Sequence, residues 1–494
     1  MDDEDRISSL PEEIRNHIVS FLPMEQAIRT SILSTKWRKV CSSLSNFNFS
    51  HHDFRWKKEF NLEQFKEVVY QTLSRHDNSD IKQFLLSIDR IDDDDEDVID
   101  EFEPHFNEWI SFAVNHNVRE LNVWGVQAGV IKQLSVCFVT SCNRLEELML
   151  GYINLKLFTN VRFPNLTTLF LNKVDVSSVS VMNQFFSSCP VLEVLEMSSS
   201  SLEYKEKGEE DRSYDFILNI PSPNLKVLGI SDLPRHGNHQ IKILSKNLHK
   251  LGYHGGEPPS FGSNIIPSLD EATFDITTGL HSLNNTAGDN QWASKILTDL
   301  RSVTKLHLGT FYLEFLTREQ GLLARLPTSY CSLKHLHLDL YPTKNQVEVI
   351  TFLLRSYPNL QTLHISIKVQ CGYNDYTFNM EEYWKTQELN TDGMLKQLRS
   401  VEIESFEGSE FELALVSSLL QNADVMEKMD ILLSKKYQND AASSLSIKEK
   451  IKMIASVSPN AAVSVLEIYS VNDFLAWKWA RAKHERNSRR EPRQ

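Results

Sequence analysis

The sequence is poor in the features that announce chemistry. Its 494 residues hold no Gly-x-Ser-x-Gly elbow, no phosphate-cradling Walker loop, no His-Glu-x-x-His and no dinucleotide-binding glycine fingerprint. Cys41, Cys137, Cys142, Cys189, Cys331 and Cys371 form no Cys-x-x-Cys pair and no zinc-ligand spacing. Reduced thiols in a cytoplasmic or nuclear setting are the simple expectation, with no cofactor and no resident metal. Positive charge is also short. Lys and Arg number 52 against 66 Asp and Glu, a net charge of −14, which argues against a general binder of nucleic acid or of an anionic membrane. No apolar run approaches the roughly 18 residues needed to span a bilayer. The opening Met1-Asp2-Asp3-Glu4-Asp5-Arg6 is acidic, unlike the basic start of a signal peptide.

What is present is a globular composition, 41% apolar and 24% charged, in a chain long enough for several domains. The segment Leu10–Leu44 reads as three short helices. Pro11 suits a first helical position because its missing N–H costs nothing there. Glu12 and Glu13 come next, on the favourable side of the helix dipole. Leu10, Ile14, Ile18 and Leu22 recur every four residues as one apolar stripe, and Pro23 stops the helix. Met24, Ala27 and Ile28 carry a second helix. Ser34 is placed to cap a third, which holds Trp37 and Val40. About 35 residues bury too little surface to be stable alone, so this segment must lean on the rest of the chain or on a partner.

The runs Leu10-Pro11-Glu12-Glu13-Ile14, Ile18-Val19-Ser20-Phe21-Leu22-Pro23 and Arg29-Thr30-Ser31-Ile32-Leu33-Ser34-Thr35-Lys36-Trp37-Arg38 resemble the F-box motif in its plant form. Cys41 stands where a large apolar residue would be expected. The resemblance implies docking on a Skp-family adaptor and, through it, a cullin–RING ubiquitin ligase. Leu10, Pro11, Ile14, Leu33 and Trp37 are the expected adaptor contacts, with Ile18 and Leu22 holding the motif together. The plainer alternative is a helical cap on the remainder of the chain.

Most of that remainder is a repeat. An apolar–x–x–apolar–x–apolar pattern recurs from Val118-Leu121-Val123 and Leu145-Leu148-Leu150 through Leu225-Leu228-Ile230 and Leu333-Leu336-Leu338 to Leu398-Val401-Ile403. Met426-Met429-Ile431 and Val463-Leu466-Ile468 would close it. The interval is irregular, roughly 21 to 38 residues. The pattern describes a strand with one apolar face, and stretches such as Met182–Cys189 and Val347–Tyr357 read as helices between strands. Such units cannot bury their apolar sides singly, so they stack. The pattern resembles the leucine-rich repeat, though the usual asparagine is mostly missing. A non-repetitive wound α/β sheet is the alternative.

Leu395–Ile403, Phe406-Glu407-Gly408 and Glu412–Met429 resemble the FBD module that comes after the repeats in many plant F-box proteins. The expected organisation is F-box 1–50, connector and irregular first repeats 51–117, leucine-rich repeats 118–394, FBD-like module 395–475 and basic tail 476–494. The fold class is therefore α/β: a leucine-rich-repeat solenoid, a curved parallel sheet with helices on the convex side, preceded by a small three-helix F-box. The acidic run Asp92–Asp97 reads as a solvated loop, or else as a hold for a basic partner. The polar stretches Ser198–Arg212, Arg235–Asn238, Gly255–Asn264 and Thr278–Asn290 read as insertions of the kind that often carry recognition. The tail reads as a frayed end or a nuclear-import signal.

Three successive repeats place histidine at one point: His307, His337 and His364. Adjacent strands lie about 4.8 Å apart, so a stacked row is expected, with His335 and Asp339 on the same outward face. Such a row could contact an acidic segment of a target protein, could bind a metal, or could be surface without a role. The functional expectation is the substrate-recognition subunit of an SCF-type ubiquitin ligase that does no bond chemistry itself. The alternative is a repeat-based interaction scaffold outside ubiquitin transfer.

Overall fold

A computed structural model of the chain describes residues 6–22, 24–50, 62–88, 96–125, 134–138, 142–157, 160–198, 215–232, 238–256, 258–261, 268–277, 292–318, 330–341, 344–368, 395–437, 440–456 and 461–467. Pro23, the connector at 51–61, most of the acidic run, most of the expected insertions and the basic tail lie outside these residues. The chain divides into two compact units, Met1–Ser268 and Leu269–Gln494. The division falls within the region expected to hold repeats.

In the first unit the predicted helices form as α1 (Glu12–Ser20), α2 (Met24–Thr30) and α3 (Thr35–Ser42). Pro11 is the residue before α1 rather than its first member. Its carbonyl accepts from the Ile14 and Arg15 amides, both at 3.1 Å. Ser34 caps α3, its side chain accepting from the Trp37 amide. The strands after it are β1 (Asn46–Ser50), β2 (Gln83–Ser87), β3 (Glu120–Trp124), β4 (Leu134–Phe138), β5 (Glu147–Leu157) and β6 (Thr168–Asp175). They continue as β7 (Val194–Ser198), β8 (Asp215–Ile220), β9 (Val227–Ser231), β10 (Asn238–Ile243) and β11 (Lys250–Gly255). Helices α4 (Leu62–Ser74), α5 (Glu96–Asn115) and α6 (Val179–Ser187) lie between strands.

The first unit's ladder runs β1-β2-β3-β5-β6-β7-β9-β11, parallel throughout. Its register aligns the repeat motifs: Leu121 faces Leu148, which faces Leu169, then Leu195, Leu228 and Leu251. The ladder starts earlier than the leucine pattern, because Phe47, Phe49, Phe84 and Leu86 supply the inward positions of β1 and β2 and are fully buried. β1 therefore begins at Asn46, inside the stretch assigned to the F-box. Besides the helices, strands also lie in some crossovers. β4 pairs with the second half of β5, and β8 with β10 forms a separate two-stranded sheet. Three crossovers among the described residues thus carry a strand.

The second unit holds β12 (Glu271–Ile276), α7 (Trp292–Asp299), β13 (Lys305–Leu308), α8 (Thr310–Arg318), β14 (His335–Leu340), α9 (Lys344–Ser356) and β15 (Thr362–Ile367). It ends with β16 (Ser400–Phe406), α10 (Glu410–Asn422), β17 (Lys428–Leu433), α11 (Ala441–Ala455) and β18 (Ala462–Leu466). The strands pair in chain order, all parallel. Leu306, Leu336, Leu363, Val401 and Met429 share one inward row. The last expected motif is out of phase. Val463 faces Met429 and Val465 faces Ile431, so Val463 and Val465 take the inward positions expected of Leu466 and Ile468, the latter outside the described residues. Along β18 the side chains of Val463 to Leu466 are half-buried, so packing enforces the leucine spacing less strictly there. Among the described residues no helix is long and apolar enough to cross a membrane.

Candidate functional site

Among the described residues, two features are candidates for contacting other molecules: the face of the three-helix motif and the histidine row. The motif has its own small core of Val19, Ala27, Trp37 and Val40, with Ile18, Leu22 and Leu44 packed against it. Arg15 is buried and donates from Nη1 to the carbonyls of Ser8 and Leu10 at 3.2 and 2.5 Å. Ser8 Oγ donates to Ser34 Oγ at 2.8 Å, tying the segment that carries Ile7 to the one that carries Leu33. Cys41, smaller than the residue expected there, bonds α2 through Thr30 Oγ1 and the Ala27 carbonyl.

This arrangement splits the apolar stripe read from the sequence. Ile18 and Leu22 pack inward, while Ile14 points out at 45% exposure. Pro11 is exposed and Leu10 half-buried. Leu33 is 62% exposed, and Ile7, Phe21 and Ile32 are also open to solvent. Trp37 is a correction. It is 2% exposed and belongs to the motif's own core, so it stands behind the outer face and not on it. Four-residue spacing cannot separate a core face from a docking face, and the largest apolar side chain went where the most surface could be buried.

The motif is stitched to the ladder within the first unit. The Asp77 amide donates to the Ser42 carbonyl, and the Lys82 and Gln83 amides donate to the Ser45 carbonyl. His76 Nε2 lies 3.1 Å from the Leu44 carbonyl. The support that so short a segment needs comes from its own chain.

The expected row forms in the second unit. Register places His307 opposite His337 and His337 opposite His364. The rings stack at 3.9 Å and 5°, then at 4.0 Å and 11°. The same ladder position continues through Glu402 and Asp430. His307 Nε2 lies 3.2 Å from Asp339 Oδ2, and His337 Nε2 lies 3.5 Å from Oδ1 of the same carboxylate. His364 Nε2 lies 3.6 Å from Glu402 Oε1 and 3.3 Å from Glu404 Oε1. Asp339 also meets Lys368 Nζ at 3.4 Å. Asp339 shares this face of β14, and its side chain is only 12% accessible. His335 sits one pair earlier on the same face, 2.8 Å from Thr362 Oγ1.

Burial is the main force on His337. It pushes the imidazole down to about 4, against the pull of Asp339, while the neighbouring rings of His307 and His364 act in the same direction as burial. Burial would raise Asp339, but hydrogen bonds from the two imidazoles and the charges of His307 and Lys368 outweigh it and hold the carboxyl low. The consistent state near neutral pH is a neutral His337 beside an ionised Asp339. The face that was expected to receive an acidic segment carries carboxylates of its own. Asp339, Glu402, Glu404 and Asp430 already occupy the face, and a further anion would meet their charge. Glu402, Glu404 and Asp430 were missed, although Glu402 and Asp430 occupy in β16 and β17 the variable position that the histidines occupy in β13 to β15, and Glu404 the position of Asp339.

Residues 7–49 match the family model for the F-box domain. Residues 106–232 match the model described as the leucine-rich repeats of FBD-associated F-box protein At5g56370. The chain therefore carries an F-box and, after it, leucine-rich repeats of the FBD-associated type. Relatives over most of its length are of that kind. F-box/LRR-repeat protein At5g02910 of Arabidopsis thaliana is 27% identical over 94% of this chain and 95% of its own. FBD-associated F-box protein At1g66310 of the same plant is 26% identical over 87% and 90%. F-box/LRR-repeat protein 13, also from that plant, is 24% identical over 94% and 97%.

Proposed function

We propose that this chain is the substrate-recognition subunit of an SCF-type cullin–RING ubiquitin ligase, acting in the cytoplasm or nucleus. The observation that carries the reading is an apolar set, Ile14, Ile32 and Leu33, left in solvent on a motif that already owns a filled core. A domain this small gains nothing from exposing such side chains unless a partner covers them. The partner is a Skp-family adaptor, the usual ligand of an F-box. The repeats hold a target protein, and the FBD-like module at 395–475 closes the array with β16, β17 and β18. The chain breaks no bond. It raises the rate of ubiquitin transfer by holding the target near the conjugating enzyme, through proximity and orientation.

Binding of the full chain to a purified Skp-family adaptor, measured by calorimetry or interferometry, tests the reading. Ile14→Asp with Leu33→Asp should weaken binding by at least about 30-fold, the scale of a central hot spot of about 2 kcal/mol. Unchanged affinity in the doubly substituted protein, or no adaptor binding by the parent, overturns it.

A further inference from the structure

We propose that His307, His337 and Asp339 form a binding site for a divalent transition-metal ion of the zinc class. The donor set is right for such an ion: two imidazoles and a carboxylate, all able to ligate as uncharged or anionic groups. Their positions are set by the backbone. His337 and Asp339 lie two residues apart on one face of β14, and His307 is held opposite His337 by the ladder register. The two rings stack within 3.9 Å and turn their Nε2 edges to the same carboxylate.

The distances fit. Ligand atoms about 2.0 to 2.2 Å from a tetrahedral zinc stand roughly 3.3 to 3.5 Å from one another. Here Asp339 Oδ2 and Oδ1 are 3.2 and 3.5 Å from the two Nε2 atoms, and one ligand atom from each residue can be chosen with all within 4.8 Å. Small rotations of the side chains would close the set on an ion. His337 Nε2 is buried and makes no well-aligned hydrogen bond, although it aims at the carboxylate. Ion entry displaces the His307–Asp339 hydrogen bond and the His337 and Lys368 contacts to the same carboxylate, with each ring carrying its proton on Nδ1.

The surroundings also favour a cation. His364, stacked on His337, leads to Glu402 and Glu404, a second group with ligand spacing and two further carboxylates. The competitor is Lys368, whose ammonium reaches Asp339 Oδ1 at 3.4 Å from a side chain that is 47% exposed. It can swing into water when an ion enters. Three protein ligands leave a fourth position for water or for a side chain of a bound protein. The proposal does not depend on adaptor docking, so either can fail alone.

The test uses the untagged full chain, stripped with a chelator and titrated with Zn2+ against a chromophoric competitor, and with Co2+ for its visible ligand-field absorption. The parent should bind Zn2+ at micromolar affinity or tighter and show the cobalt bands, with Mg2+ failing to compete. His307→Ala with Asp339→Asn should weaken zinc binding at least about tenfold and abolish the bands. His307→Gln, which preserves the ring's bulk better, should weaken it as well. Lys368→Met should tighten binding, an effect that a purely structural ion pair would not give. Melting of each metal-free variant shows that it is folded. No zinc uptake by the parent, or uptake by the folded double variant equal to the parent's, overturns the proposal.

Discussion

Trp37 shows how much one side chain decides. Its ring fills the middle of a core made otherwise of Val19, Ala27 and Val40, so truncating it opens the largest hole that this motif can have. Trp37→Ala should cost about 3 to 5 kcal/mol, the usual range for an aromatic removed from a core. In a segment with so little other burial, that is enough to loosen all three helices. Hydrogen exchange over residues 10–44 should rise sharply in this variant and adaptor binding should fall with it. Leu33→Asp should leave exchange unchanged while binding falls, because its side chain contributes nothing to that core. Equal protection in Trp37→Ala and parent would contradict the assignment of Trp37 as an internal support.

Among the elements, the turn from β16 into α10 is the most tightly specified. Ser409 caps α10, and the Glu412 carboxylate reaches back to the Glu407 and Ser409 amides and the Ser409 hydroxyl, forming a capping box. Glu412 is nearly fully buried. Burial raises its pKa, while the hydrogen bonds from Ser409 and Glu407 oppose that rise. Gly408 just before it has φ of 75°, and a Cβ there would stand 2.7 Å from Ile447 in α11. Glu412→Ala strands buried donors and should destabilise the second unit by about 1 to 3 kcal/mol. Gly408→Ala adds strain to a clash and should destabilise it also. Chemical denaturation of the full chain reads both. A Gly408→Ala protein as stable as the parent would mean that the turn relaxes freely, against the packing described.

On the scale of the whole molecule, the proposed function assigns coupling and recognition to different parts of the chain, so removing one should spare the other. With residues 10–44 deleted, the repeats are expected still to capture their target while losing the ligase. Proximity labelling in cells should then show target proteins more strongly with the deleted chain than with the full one, since captured targets are no longer consumed. Labelling profiles that do not differ would argue that the ladder serves a purpose apart from ubiquitin transfer.

The one-dimensional pattern was enough for the ladder. Leu-x-x-Leu-x-Leu forces alternate side chains onto one face, and stacking such faces leaves parallel strands as the economical solution, so the inward row from Leu121 to Leu251 was readable. The histidine stack was readable for the same reason: His307, His337 and His364 hold one position in aligned motifs. Tertiary structure decided what periodicity leaves degenerate. It turned Ile14 outward and Trp37 inward, although both lie on helices with apolar spacing. It put phenylalanines of β1 and β2 into the row ahead of any leucine motif, and it placed strands β4, β8 and β10 in three crossovers. It also brought Asp339, Glu402 and Glu404 against the imidazoles. Periodicity says which residues share a face; which face meets solvent, and which charges meet across strands, depends on how the faces pack.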